Sequence, residues 1–424
     1  VKKFSLSVGV FCTLLSCSSS PVTKQQTLTH VQLIDRNGVN ETISQKDRLD
    51  AYKKVNFLDP QPYEKVVRVF KRDEEGKVSS QLTTYHNNGG IFQYLEVVSG
   101  RANGFYKEWH ENGRLRIVCH VIEGIGDLSP DAQTSWVFDG ESRVWDQKGD
   151  LIAELFYEKG KLEREALYYH SNGRLAKTIP YKNDLIHGEK RVYDFDGNYV
   201  GGAWYAEGLK DGRSFFLGDK NSGKREEVFE KGLLIKGDYF DFFNNLTHSV
   251  EEGAGIRPFY EDGFLSLEQE YINGKPEGIV KTYRKNGDLE SSYQIIDDQK
   301  QGEELHYYER KGSIKEKSLM LQINWRDDEV HGTVRTWYPS GKIESEKEMI
   351  ANMKQGKYIA WYEEGSLMMI EEYEKDVLLS GKYFKKGEEI PVSRVTLGTG
   401  VATIFDARGN FLRKTEYQKG LPIE

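Results

Sequence analysis

Three cysteines among 424 residues are too few to staple a fold. Cys12 falls in a stretch that reads as a cleaved signal and Cys17 at its end, which leaves Cys119 with no partner in the chain. The pair Cys119-His120 has no second Cys or His at ligand spacing, and a zinc site needs about four ligands. As a nucleophile, Cys119 lacks a base and an orienting group. Basic stretches are missing too. Lys and Arg number 59 against 67 Asp and Glu, a net charge of −8, and removal of Lys2 and Lys3 makes the chain more acidic. Nucleic acid is therefore excluded as a partner, as is adhesion to anionic lipid by charge alone. No long 3.6-residue periodicity follows Val55, so helix is almost absent. Neither a phosphate-binding Gly-x-x-x-x-Gly-Lys-Ser/Thr nor a Gly-x-Ser-x-Gly elbow occurs, and the glycines belong to turns. Carboxylate pairs such as Glu371-Glu372 would point to opposite faces of a strand, which defeats a paired acid/base role. No enzyme, metal or cofactor is expected.

What is present is turns and aromatics: 42 Gly, 25 Tyr and 20 Phe, with 38% apolar and 30% charged residues. One sentence repeats. Gly278 opens Gly-Ile-Val-Lys-Thr-Tyr-Arg-Lys-Asn-Gly, Gly332 opens Gly-Thr-Val-Arg-Thr-Trp-Tyr-Pro-Ser-Gly, and Gly356 opens Gly-Lys-Tyr-Ile-Ala-Trp-Tyr-Glu-Glu-Gly. The period is about 24 residues, the signature of a repeat array. An aromatic stands at offset five (Tyr85, Trp109, Trp145, Tyr169, Tyr193, Phe242, Phe259, Tyr283, Tyr307, Trp337, Trp361, Phe405). A turn glycine stands at offset nine, Gly113, Gly263 and Gly341 among them, and a second turn at offset twenty, as at Gly100, Gly160, Gly232 and Gly274. About seven residues rich in Val, Tyr, Trp and Thr separate the turns, which is strand length and composition. Asn-Gly pairs such as Asn112-Gly113 and Asn273-Gly274 close tight hairpins. The expected fold is all-β: an elongated, single-layer antiparallel meander of hairpin repeats, with aromatics laddered along one face and Lys and Glu leaving the other solvated.

The register breaks at 126–139, at 244–254, where the Gly237 to Ala254 spacing shortens, in an excess around Arg326-Asp327-Asp328, near Gly381, and at 387–399. These segments could carry function or be tolerated insertions. The histidines follow the repeat (His110 and His170 after the ladder aromatic, His187 and His331 before a repeat glycine), which makes them solvated hairpin positions.

Ahead of the array, Lys2-Lys3, an apolar run Phe4 to Leu15 and Ser16 read as a signal peptide over residues 1–16. Leu14-Leu15-Ser16-Cys17 resembles the lipobox of bacterial lipoproteins, which implies acylation of Cys17. A plain secretory signal is the alternative. Residues 17–30 are a polar tether. Residues 31–79 form a cap, with a hairpin turning at Asn37-Gly38 and a helix from Ser44 to about Val55, and residues 80–424 are the array.

Gly-x₄-Trp/Tyr-Tyr-x₂-Gly followed by a second glycine turn resembles the MORN repeat. It is similar in particular to the bacterial MORN-repeat variant proteins, many of which are labelled YwqK-family antitoxins of toxin–antitoxin systems. The resemblance covers about residues 80–420 and implies sheets of successive hairpins that scaffold proteins and sometimes associate with membranes. It implies no catalytic residues. An exported lipoprotein does not suit a cytoplasmic toxin neutraliser. The expectation is thus an envelope lipoprotein, on the outer membrane or periplasmic face, that binds unidentified protein partners while Cys17 holds the bilayer. Trp109, Trp145, Trp337 and Trp361 are the candidate binding strip, unless they simply pack the sheet. One alternative is an antitoxin-like protein with a single dedicated partner. Another is a glycan-binding or glycan-acting envelope protein, which would need converging carboxylates.

Overall fold

The computed structural model describes residues 26–218, 223–310 and 317–423. The signal segment and Cys17 lie outside the described residues. The chain divides into two compact units, 1–173 and 174–424.

In the first unit Thr27–Asp35 pairs antiparallel with the short edge strand Asn40–Ile43 on one side and with Glu64–Arg72 on the other. From there each strand pairs with the next through Val78–Tyr85, Ile91–Val98, Arg101–Trp109 and Leu115–Glu123, then on to Leu151–Glu158 and Lys161–Tyr169. In the second unit the same antiparallel succession runs from Leu175–Lys182 to Leu421–Ile423. The all-β meander of hairpins is therefore the fold.

Two kinds of turn alternate along this succession. Five-residue turns carry the offset-nine glycine: the residue that opens each, such as His110 or Tyr338, donates its N–H to the carbonyl of the residue that closes it, Arg114 or Lys342. In three of them an Asp side chain adds to these backbone bonds and is itself held by an Asn. Asp194, Asp241 and Asp406 each take N–H bonds from two and four residues on, and Asn198, Asn245 and Asn410 donate their side-chain amides to the same carboxylates. Those bonds, the Asn amide foremost, hold the three carboxyls below the ordinary Asp value. Two-residue turns close the opposite ends. Asn273 (φ 51) and Gly274 (φ 78) are both left-handed, which suits the twist of the strands they join. The glycine is not obligatory there: Asp297-Asp298 and Asp327-Asp328 take the same conformation.

Several sequence expectations need correcting. The helix spans Lys46–Tyr52, capped at Gln45 with no side-chain bond, and Ser44 plays no part in it. The excess before Gly332 is not at Asp327-Asp328, an ordinary tight turn. It lies in the preceding connection, where the Tyr308 N–H donates to the Ser318 carbonyl ten residues on. In regular units the ladder aromatic pairs, after a bulge, with the first residue of the next strand, as Trp337 does with Ile343 and Trp361 with Leu367. By that criterion Phe240, opposite Leu246, holds the ladder place assigned above to Phe242. Gly263 belongs to a two-residue turn with Asp262 (φ 48), not to the five-residue class.

The earlier strands of the first unit are covered on both faces. Leu49 of the helix joins Val31, Leu33, Ile43, Val67, Val69, Tyr85, Ile91 and Tyr94 on one. The insertion at 126–139 folds over the other: it forms the short helix Pro130–Gln133 and lays Leu128 and Trp136 against Leu82, Leu95, Val97, Tyr106, Cys119 and Val121. That Tyr94 and Leu95 fall in different clusters is the strand alternation itself. The Trp136 ring lies tilted, 4.9 Å from that of Tyr106, and its indole N–H donates to the Ile125 carbonyl at 2.9 Å. This segment is core. Burial also pushes the Cys119 thiol up to about 12, which leaves it inert at neutral pH.

Candidate interaction surface

The four tryptophans occupy equivalent hairpin positions, Trp109 and Trp145 in the first unit and Trp337 and Trp361 in the second, each half-buried. Their backbones share one role that sequence reasoning missed. In six units the side chain following the ladder aromatic reaches forward to the carbonyl of the next one. His86 donates to Trp109 at 2.9 Å and His110 to Trp145 at 3.0 Å. Tyr308 donates to Trp337 at 2.7 Å, Tyr338 to Trp361 at 2.8 Å and Tyr362 to Phe384 at 2.9 Å. Arg284 makes the same reach to Tyr307. His86 and His110 are thus inter-repeat latches and not the solvated positions expected. Phe384 is identified as the ladder residue of the blurred unit by its place in the series. The signal was in the sequence: a long donor follows the aromatic in unit after unit.

The glutamates between the aromatics are not all solvated either. Glu108, Glu227, Glu304 and Glu371 are buried. Tyrosines bond three of them, Tyr106 to Glu108 at 2.8 Å, Tyr239 to Glu227 at 3.1 Å, and Tyr373 and Tyr383 to Glu371 at 2.9 and 2.8 Å, while Glu304 is held by Lys300 and His306. Such charge-assisted bonds are what make a buried carboxylate tolerable. Glu371 is buried while Glu372 is exposed, so the adjacent pair does split between faces. Among the described residues no group of three or more His, Cys, Asp and Glu is arranged to hold a metal ion, and no helix is long and apolar enough to cross a membrane.

A row of exposed apolar side chains, phenylalanines among them, lines one edge of the second unit, while Leu185, Leu209 and Leu233 are exposed at the other. Along Gly188–Tyr193 to Phe264–Ile272, successive connections at the five-residue-turn edge present Phe195, Leu217, Phe242, Phe243, Leu246 and Phe264, all exposed. Phe243, at the tip, is 85% exposed. The next connection on that edge, Arg284-Lys285-Asn286-Gly287, is polar again. Neighbouring hairpins repeat every two strands, roughly 9–10 Å, so these tips form a row. They are the functional candidates that a search for tryptophan alone passed over.

A stack of antiparallel hairpins with fixed turn positions defines a β-repeat protein. Two segments, residues 165–183 and 330–350, match the MORN repeat variant family, whose repeats generally bind proteins or membranes. No curated protein matches the chain. Among solved structures, the Photorhabdus luminescens Tc holotoxin pore aligns over 92% of this chain and 21% of its own, at 14% identity and a TM-score of 0.16. A eukaryotic initiation factor aligns over 92% of this chain and 96% of its own, at 10% identity and a TM-score of 0.18. The chain thus spans about a fifth of the toxin chain, and at these scores neither likeness bears on fold or function.

Proposed function

We propose that this chain is a non-enzymatic interaction scaffold, anchored to an envelope membrane through acylated Cys17, that binds a protein partner along the apolar turn edge of its second unit. The exposed row Phe195, Leu217, Phe243 and Phe264 carries the reading. Burying one such side chain contributes about 1.5–3 kcal/mol, whereas association costs at least about 4 kcal/mol. One tip could not hold a partner; a row of four can. The polar groups at the base of these turns are already satisfied internally, as Asp194 and Asp241 illustrate, so little desolvation opposes docking.

A photo-crosslinking residue at Phe243, in cells, tests the reading against one at Lys231 on the opposite edge. A discrete protein adduct at Phe243, absent at Lys231 and lost when Phe195 and Phe264 are changed to Ser, is expected. Equal adducts at both edges would overturn it. The anchor is tested separately by alkyne-palmitate labelling, which Cys17→Ala should abolish; a labelled variant would refute the anchor and leave the edge reading standing.

A further inference from the structure

We propose that the bare strand segment Gly201–Ala203, ringed by Lys190, Lys210 and Arg225, is a binding site for a phosphate group, carried by a small molecule or a lipid headgroup. The site lies on a sheet face and is independent of the turn-edge reading.

Pairing builds it. Lys190 stands opposite Ala203, Gly201 opposite Phe216, Tyr205 opposite Lys210, and Phe216 in turn opposite Arg225. Three cations far apart in sequence therefore converge on three residues with almost no side chain. The result is a depression of about 140 Å³ whose walls include Lys190, Lys210, Arg225, Tyr205, Phe216 and Ser214. Gly201 has no room for a side chain beside this wall: a Cβ there would come within 2.8 Å of the Phe215 carbonyl and 3.1 Å of the Phe216 ring.

The charges are held but not neutralised. The Lys210 ammonium sits 4.4 Å from the centre of the Phe229 ring, and the Arg225 guanidinium 5.2 Å from that of Phe216. Among the described residues no carboxylate lies within ion-pair distance of Lys190, Lys210 or Arg225. The acid facing them is Glu227, which is 1% exposed and already committed to Arg257 at 2.7 Å and to Tyr239. Burial lowers the pKa of Lys210; Glu227 partly offsets this, and Arg257, Arg225 and Lys190 add repulsion. Burial also lowers Arg225, with Glu227 opposing and Arg257 adding repulsion. A bound oxyanion would relieve that repulsion, whereas the Ser214 hydroxyl on the wall already donates to Glu227 at 3.5 Å. A single depression this small admits one compact group and not a polyanion track.

The test is calorimetric titration of the full chain with inorganic phosphate and glycerol phosphate at constant ionic strength. A parallel arm uses phosphatidylcholine vesicles with and without phosphatidate. Saturable binding at one site is expected, weakened at least about tenfold by Lys190→Met and by Lys210→Met, as loss of a charge-assisted bond requires. Arg213→Met, a partner of Glu226, should leave it unchanged, and thermal melts confirm that each variant folds. Binding of the soluble phosphates assigns a small-molecule ligand; binding of phosphatidate vesicles alone assigns a headgroup. No saturable binding by any probe, or binding indifferent to both lysine variants, would overturn the proposal.

Discussion

Residues 225–274 and 369–420 are two versions of one irregular module. Glu227, Phe229, Leu234, Gly237, Tyr239, Val250, Gly253, Tyr271 and Gly274 recur in order as Glu371, Tyr373, Leu378, Gly381, Tyr383, Val395, Gly398, Tyr417 and Gly420. Both close the same triangle of backbone bonds. Gly253 donates to Ile235, Gly274 to Gly253 and Leu234 to Gly274; Gly398 donates to Leu379, Gly420 to Gly398 and Leu378 to Gly420. Each also buries a glutamate, and here they part. Glu227 is paired with Arg257, whereas Ala402 takes the arginine's place and Glu371 has two phenols, with Lys354 reaching only Tyr373. The backbone design tolerates a buried carboxylate held by an ion pair or by hydroxyls alone. The two solutions should fail differently.

The sharpest break is Arg257→Met. It strips a buried charge of its partner and should cost about 3–5 kcal/mol in urea denaturation, most of which Glu227→Gln in the same chain restores. Next is Tyr383→Phe, which removes one of two phenols on Glu371 and should cost about 1.5–3 kcal/mol, the value of a bond to a charged group. Tyr239→Phe should cost less, because Arg257 remains; equal losses would mean that the arginine does not substitute for the second hydroxyl.

Alkali separates the modules by another route. Burial first, then Glu371, raises the Tyr373 and Tyr383 phenols, and burial raises Tyr417. In the other module Tyr239 is raised, by burial and Glu227, against an opposing Arg257. A raised folded-state pKa supplies stability that is complete below the ordinary Tyr value near 10 and is lost as pH climbs past it. With more such phenols, 369–420 should lose hydrogen-exchange protection before 225–274 above pH 10. The reverse order would reject the assignment. The smallest expected effect is on a latch. Tyr338→Phe and Tyr362→Phe should each cost about 0.5–1.5 kcal/mol, with Tyr362 the larger because it is fully buried. Both phenols are pushed up to about 12, chiefly by burial, so the latch contribution too should fade between pH 10 and 12.

Most of the fold was legible because glycine turns and aromatic spacing encode strand length locally. The register slips around Phe240 and Gly263 were hidden by chance spacing: Phe242 stands at the expected offset while the bulge that sets the pairing sits two residues earlier. The role of 126–139 was hidden for a different reason, since Leu128 and Trp136 fill a face whose other residues come from four strands. The charged depression was unreadable because Lys190, Lys210 and Arg225 meet only through pairing, and the acidic whole masked a basic part. The apolar tips were in plain view, but attention to tryptophan obscured the phenylalanines.

The latches all point one way along the chain, from the unit that bears one to its successor. An extra unit copied in between two tight turns would arrive with its own donor and its own acceptor, and both neighbours would find the partners they had before. Lengthening therefore asks nothing of the existing units, whereas a cut within one leaves a donor without its carbonyl. The array is built so that evolution can change its reach in whole steps while leaving its chemistry alone.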